Sequence, residues 1–332
     1  MASSTAPIIA RTLALPALLL AASVSGCNGS PDVEVQVAAD VPPPEAFRQD
    51  RAFADLRHLC EDIGQRRIGT QGAAETRQWL RSELESHGWT VEEHAFEVTI
   101  PEGARRKGTT TGVNVLARRE GTEPGEIWFA SHYDTYDLPG FVGANDAGSS
   151  TALLVELGRV LGGEGPRRGK TLVLVFFDGE ERFPPARWDD ETNSTFGSRY
   201  EANRLKEEGK VQDVKGLILF DMVGDADLNL FFERSTDRRI RDAFERAAHR
   251  LGDPNLFVGS REIKDDHIPF HRVGIPVADL IDFTYGPGNR YWHTLDDSLE
   301  HVSAESLGRV GRVTLAALPE LERVLGAPPK RR

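Results

Sequence analysis

Leu172-Val173-Leu174-Val175-Phe176-Phe177 is an unbroken apolar run, and Asp178-Gly179-Glu180-Glu181 follows it directly. A short run of branched and aromatic residues that stops at a glycine is typical of a β-strand buried on both faces. Such strands belong to sheets that are covered by helices on each side. The stretch therefore predicts an α/β fold in which acidic residues lie at the end of a central strand.

The same arrangement of an apolar run followed by polar residues recurs along the chain. The further runs are Ile127-Trp128-Phe129-Ala130 before Ser131-His132-Tyr133-Asp134, Leu217-Ile218-Leu219-Phe220 before Asp221, and Ile275 to Ile281 before a Gly/Pro loop that leads to Trp292-His293. Helical spacing of apolar residues predicts helices over 47–62, 72–87, 149–161, 199–208 and 238–251, and alternation predicts strands over 91–100 and 114–117. These segments build a sheet with helices packed on both faces.

Ionisable side chains are concentrated where the predicted strands end, which is where α/β sheets bind ligands. They comprise two imidazoles and four carboxylates, namely His132, Asp146, Glu180, Glu181, Asp221 and His293. Carboxylates crowded in one cleft repel each other, and a divalent cation removes that repulsion. Nitrogen and oxygen donors without thiolates suit zinc. One of the neighbours Glu180 and Glu181 can then bind the metal while the other stays available for proton transfer.

A single carboxylate after a strand is more often a helix cap or turn residue than a ligand. The zinc prediction therefore depends on the presence of such residues after several separate strands.

In combination the motifs at these strand ends resemble metallopeptidase family 28, which includes the zinc aminopeptidases and the animal-type glutaminyl cyclases. The motifs are Ser131-His132-Tyr133-Asp134, Gly143-Ala144-Asn145-Asp146-Ala147-Gly148, Phe176-Phe177-Asp178-Gly179-Glu180-Glu181, Asp221 and Tyr291-Trp292-His293-Thr294. The resemblance covers a catalytic domain at 47–325 and implies a mixed, mainly parallel central sheet between helices.

The resemblance also implies a set of zinc ligands. Asp146, Glu181 and His293 match the ligands of the zinc that both branches of the family contain. In the aminopeptidases, Asp146 would also bridge to a second zinc that is held with His132 and Asp221.

Two further features follow from the same resemblance. Glu180 matches the general base, and Asp134 would orient His132 from behind. The family also leads us to expect a cis peptide bond between Asp146 and Ala147.

Several residues resemble the cyclase branch in particular. Asp265 matches an aspartate that contacts substrate, and Trp188 and Trp292 match aromatic residues of the cyclase pocket, although both tryptophans could also be core residues. We therefore expect conversion of an N-terminal Gln to pyroglutamate with release of ammonia, with one zinc and with Glu180, Asp221 and Asp265 as catalytic residues. The alternative is a two-zinc aminopeptidase that hydrolyses the first peptide bond. A third hypothesis is a non-catalytic peptide-binding lipoprotein.

The N-terminal residues 1–26 are typical of an export signal rather than of the fold. Their apolar run, Leu13 to Val24, is too short to span a bilayer as a helix. Val24-Ser25-Gly26-Cys27 resembles the bacterial lipoprotein box, which implies cleavage before Cys27 and its acylation. We expect an exported cell-envelope lipoprotein that contacts the membrane through this lipid alone. The alternative is an ordinary signal peptide in which Cys27 is incidental.

The whole chain has the composition of an ordinary globular protein. It is 39% apolar and 28% charged, with a formal net charge of −12. The lack of a basic stripe argues against a nucleic-acid partner, because phosphate binding requires clustered Lys and Arg. We expect peptide or protein N-termini as substrates. Residues 27–46 are a Pro-rich linker, and residues 326–332 are a basic tail.

Overall fold

A mixed β-sheet forms the centre of the protein in the computed structural model, which describes residues 40–185 and 192–326. Within these residues the strands are β1 Thr90–Thr99, β2 Thr109–Arg119, β3 Gly121–His132, β4 Arg167–Phe177, β5 Val214–Asp221, β6 Leu230–Glu233, β7 Phe257–Arg261 and β8 Val277–Ile281. The helices are α1 Gln49–Arg57, α2 Gln71–Ser86, α3 Ser150–Leu161, α4 Phe196–Glu207, α5 Arg238–Arg250, α6 His267–Arg272 and α7 Ala304–Leu325.

The strands lie in the order β1-β2-β4-β3-β5-β8-β6-β7. The four inner strands β4, β3, β5 and β8 are parallel to one another. The antiparallel pairs β1–β2, β2–β4 and β8–β6 flank them. The predicted fold class, a mixed and mainly parallel sheet with helices on both faces, is confirmed.

Each inner strand has a segment that is buried on both faces, which explains the apolar runs in their sequences. On one face, Phe129 and Leu174 belong to the larger core cluster, which also contains residues of α1, α3, α5 and α7. Their neighbours Trp128 and Val173 belong to a second cluster, on the other face, with residues of α4 and α6. Because side chains alternate along a strand, each strand contributes to both cores.

The predicted elements differ from the structure mainly at their ends. The strand predicted at 114–117 is longer, because the polar residues at the start of β2 pair with β1, for example Thr110 with Val98. The helix predicted at 47–62 is α1 followed by a wider helical turn at His58–Ile63. Helix α7 was not predicted, and it contains Pro319, which normally argues against a helix interior.

The described residues include the end of the predicted linker, which contacts the domain. Val41 is buried, and Pro44–Ala46 form a single helical turn before Phe47, which is also buried. The predicted signal peptide and Cys27 lie outside the described residues, as does the tail from 327 on. Within the described part of the chain, no helix combines the length and apolar character required to cross a bilayer.

Candidate metal centre and substrate cleft

The ends of the parallel strands bring the predicted site residues to one edge of the sheet. His132 is the last residue of β3, and Asp221 is the last residue of β5. Glu180 and Glu181 follow β4 directly, whereas Asp146 lies in the turn before α3. His293 comes from the loop that follows β8 and precedes α7.

The first cluster contains the three residues predicted to hold zinc in both branches of the family. Nε2 of His293 lies 3.2 Å from Oδ2 of Asp146 and 3.1 Å from Oε2 of Glu181. The three potential ligand atoms all lie within 4.8 Å of one another. Three protein ligands from one His and two carboxylates leave a coordination position for water or substrate, as in catalytic zinc sites.

A second cluster lies on the other side of Asp146. Nε2 of His132 is 3.2 Å from Oδ1 of Asp146 and 3.3 Å from Oδ1 of Asp221. Its potential ligand atoms also lie within 4.8 Å of one another. Asp146 therefore turns one carboxylate oxygen toward each cluster, which is the arrangement of a bridging ligand.

The three ionisable groups of the first cluster shift one another's pKa values. Burial raises the pKa of Glu181 to about 7. Burial would also lower the pKa of His293, but Glu181 and Asp146 raise it to about 9. For Asp146, hydrogen bonds with His132 and His293 outweigh burial and lower the pKa of the carboxyl. A divalent cation would stabilise the same carboxylates, so the residues present fit a zinc ion.

Asp134 supports both the histidine and the acidic pair. Its Oδ1 lies 3.4 Å from Nδ1 of His132, where the family resemblance places an orienting carboxylate. Its two oxygens also accept the backbone N–H groups of Glu180 at 3.1 Å and Glu181 at 3.2 Å. One buried carboxylate thus fixes three residues of the site. The cis peptide bond expected between Asp146 and Ala147 is confirmed.

Asp297 performs a similar role for Asp146 and was not predicted. Its Oδ1 accepts the backbone N–H of Asn145 at 2.7 Å, and its Oδ2 accepts that of Asp146 at 3.1 Å. The hydroxyl of Tyr285 donates to Oδ1 at 3.0 Å. Asp297 lies four residues after His293, so a survey of carboxylates around that histidine could have found it.

Aromatic rings fix the plane of the His293 imidazole. Tyr136 stacks on it at a centroid distance of 4.0 Å, and Trp292 stacks at 4.1 Å. Two rings cannot occupy one face at this distance, so they lie on opposite faces. Sequence reasoning predicted Trp292 as a cleft residue and did not identify Tyr136.

The clusters open into a cleft of about 570 Å³. Asp146, Glu180, Asp221, Asp265, Trp292 and His293 all line it. The ring of Trp292 packs edge-on against Phe283 at 4.9 Å, which holds an aromatic surface beside the metal ligands. The other predicted pocket residue, Trp188, lies outside the described residues.

Two carboxyls in this cleft are available for proton transfer. Among the described residues, neither potential metal cluster includes Glu180 or Asp265. Burial raises the pKa of Glu180 well above its usual range, and burial together with Asp221 raises that of Asp265 to about 7. A raised pKa lets a carboxyl take up a proton more readily than an ordinary Asp or Glu does, as proton transfer requires.

Comparison with known proteins extends these observations. The glutaminyl-peptide cyclotransferase of Drosophila melanogaster is 30% identical over 302 residues, covering 80% of this chain and 82% of that protein. The enzyme of the same name from Boiga irregularis is 29% identical over 285 residues, covering 74% of each chain.

Solved structures give a consistent result. The glutaminyl cyclase of an Acidobacteriales bacterium superposes with a TM-score of 0.74 at 30% identity, covering 92% of this chain and 99% of that one. A leucine aminopeptidase precursor from Bacteroides thetaiotaomicron has a TM-score of 0.72 at 23% identity, covering 83% and 97% of the two chains, which shows the shared fold alone. The model of peptidase family M28 matches residues 114–318, more than half of the sequence. The chain belongs to peptidase family M28.

Proposed function

We propose that the protein is a zinc-dependent glutaminyl-peptide cyclotransferase, which converts an N-terminal Gln to pyroglutamate and releases ammonia. The observation that carries this proposal is the composition of the cleft. Glu180, Asp265 and Trp292 line it together with Asp146 and His293 of the first metal cluster. The relatives named glutaminyl-peptide cyclotransferase support the same activity.

The residues of the cleft suit an intramolecular reaction of the substrate. Asp146, Glu181 and His293 would hold a zinc ion, which would supply Lewis acidity toward the side-chain amide carbonyl. The substrate's α-amine nitrogen forms a bond to that carbonyl carbon, and the bond from the carbon to the amide nitrogen breaks. Glu180 accepts the proton that the attacking amine loses and returns it to the departing ammonia. Because burial raises its pKa, the Glu180 carboxyl can hold the proton between the two steps.

The remaining cleft residues orient the substrate. Asp265 accepts a hydrogen bond from the substrate amine, and Asp221 stabilises the proton transfer beside it. Trp292 packs against the flat amide of the Gln side chain. A protein that only bound peptides would not need a carboxyl such as Glu180 beside the metal ligands.

Incubation of the purified, zinc-loaded protein with Gln-initiated peptides tests the proposal. We expect ammonia in solution and a peptide that has lost one ammonia while its peptide bonds remain intact. Mass spectrometry and an ammonia assay measure the two products. Substitution of the N-terminal Gln by Asn should remove most of the reaction, because the shorter side chain would close a strained four-membered ring.

The second cluster favours a second candidate function, hydrolysis of the first peptide bond. His132, Asp146 and Asp221 have the spacing required for another metal ion. Zinc ions held by the two clusters would supply the Lewis acidity that activates a water, and Glu180 would take the proton of that water. Release of free amino acids from Leu- or Ala-initiated peptides, without ammonia from Gln-initiated ones, would identify the protein as an aminopeptidase. We propose one tightly bound zinc per chain, and metal analysis that finds two would favour the hydrolase.

We also propose that the enzyme is an exported lipoprotein of the cell envelope, anchored through Cys27. The sequence support is the apolar run of 13–24 and the small residues before Cys27. An acylated cysteine that also carries a diacylglyceryl group would provide the two hydrocarbon signals that stable anchoring requires. Metabolic labelling with a fatty acid would detect the modification at Cys27.

A further inference from the structure

The charge of the cleft changes sign between its floor and its outer wall. The floor is formed by the buried acidic residues described above, and the outer wall carries three cationic side chains, Arg234, Arg261 and Lys264. Glu262 is the anionic side chain of this wall. A cationic wall beside the active site of a chain with a net charge of −12 calls for a ligand of negative charge.

Arg261 is held in place at this wall. Its guanidinium lies over the ring of Phe231, 4.3 Å from the centroid. Its Nη1 donates to the carbonyl oxygen of Phe283 at 2.9 Å. Because these contacts already fix the side chain, binding of an anion costs little further side-chain entropy.

Arg234 is also accessible to a ligand. It forms an ion pair with Glu262 at 3.3 Å, but the two side chains are 68% and 72% exposed. Ion pairs this exposed contribute about 1 kcal/mol or less, so an anionic ligand can displace Glu262 at small cost. The wall therefore offers two arginines to a carboxylate.

We propose that the cleft selects peptides with an Asp or Glu as the second or third residue. The inference rests on the proposed function, which places the substrate's N-terminus at Asp265 on the floor. Arg261 is four residues from Asp265, so their Cα atoms are at most about 14 Å apart. An extended substrate advances about 3.4 Å per residue. The side chains of Arg261 and of a Glu at position two or three extend across the remaining distance.

Matched peptides test this preference by binding. The peptides are Gln-Glu-Phe-Ala, Gln-Phe-Glu-Ala and the neutral Gln-Gln-Phe-Ala, each with the same C-terminal fluorophore. Fluorescence anisotropy with zinc-loaded Glu180→Gln measures the dissociation constants without turnover. We expect the acidic peptides to bind about three- to tenfold more tightly at low ionic strength, as two exposed ion pairs would provide. The ratio should approach one in 0.5 M salt, where the Debye length falls to about 4 Å.

A pair of arginine variants locates the effect. Arg234→Gln should reduce the preference for acidic peptides at least about twofold, as expected for loss of one exposed ion pair. Arg238→Gln removes the same charge from a side chain that is 78% exposed, pairs with Asp242 and does not line the cleft. It should leave the ratio unchanged. Equal reductions in both variants would attribute the preference to net charge and overturn the assignment to the cleft wall.

The remaining outcomes separate this inference from the proposed function. Equal dissociation constants for acidic and neutral peptides at low salt would refute the inference, even with normal release of ammonia. Absence of ammonia from every Gln-initiated peptide would refute the proposed function. In that case, tighter and salt-sensitive binding of the acidic peptides would still support an anion-binding subsite at the cationic wall. Equal binding of acidic and neutral peptides would refute that subsite.

Discussion

Asp297→Asn should weaken zinc binding although Asp297 is not a metal ligand. Each of its two carboxylate oxygens accepts a backbone N–H, one from Asn145 and one from Asp146. An Asn side chain has one oxygen, so its NH₂ group must face one of these two N–H donors. One backbone N–H of the turn that carries Asp146 then loses its acceptor, and because Asp297 is buried, water cannot replace it.

The size of the effect follows from the lost hydrogen bond. Hydrogen bonds to a charged group contribute about 1.5–3 kcal/mol, and the donor–donor contact adds to the cost. Because the turn positions an oxygen of Asp146 against His293, we expect a loss of about ten- to a hundredfold in zinc affinity, as for other partners of metal ligands. Activity should recover in excess zinc if the loss lies in binding.

Competition with a chromophoric chelator measures the zinc dissociation constant of each variant. Tyr285→Phe is the control, because it removes the hydroxyl bond to Asp297 and leaves both backbone bonds. Its zinc affinity should change less than about threefold, because the two backbone N–H groups of the turn keep their acceptors and only a support of the carboxylate is lost. A zinc dissociation constant for Asp297→Asn within twofold of wild type, in a folded protein, would refute the positioning role of Asp297.

Further substitutions test the other assignments. Glu180→Gln should keep zinc and the fold but lose turnover by about a hundredfold or more, whereas Glu181→Gln should lose zinc. Equal metal content in the two purified variants would contradict this division of roles. Exhaustive chelation should abolish activity and preserve far-UV circular dichroism, since the apolar strands form the core without metal; unchanged turnover would exclude a catalytic metal. Cys27→Ala should appear in the soluble fraction or remain unprocessed, and membrane association equal to wild type would remove the lipoprotein proposal.

The sequence predicted the central architecture because its causes are local. The strands β3, β4, β5 and β8 each contain an apolar run, and such runs indicate burial on both faces. The bounds of β2 were predicted less well, because Thr109–Thr111 lack the apolar alternation of a half-buried strand and pair with β1. Helix α7 escaped prediction because packing against α1 and α5 outweighs the unfavourable Pro319 in its interior.

The membership of the metal centre could also be predicted from the sequence. Parallel strands align their carboxyl ends, so polar residues after separate strands must meet at one edge. This rule gathered all six candidate residues, and the family resemblance then assigned Asp146, Glu181 and His293 as ligands of the shared zinc.

Only the tertiary structure decided how these residues are held and what surrounds them. Asp297 lies 151 positions from Asp146 along the chain, and Tyr136 reaches His293 from a loop after β3. The cationic wall combines Arg234 after β6 with Arg261 at the end of β7. The local periodicity of the sequence does not predict such contacts, because they depend on how loops fold back over the sheet. The sequence alone thus determined the sheet and the candidate ligands, and the packing of distant loops determined the geometry of the candidate metal centre and the charge of its entrance.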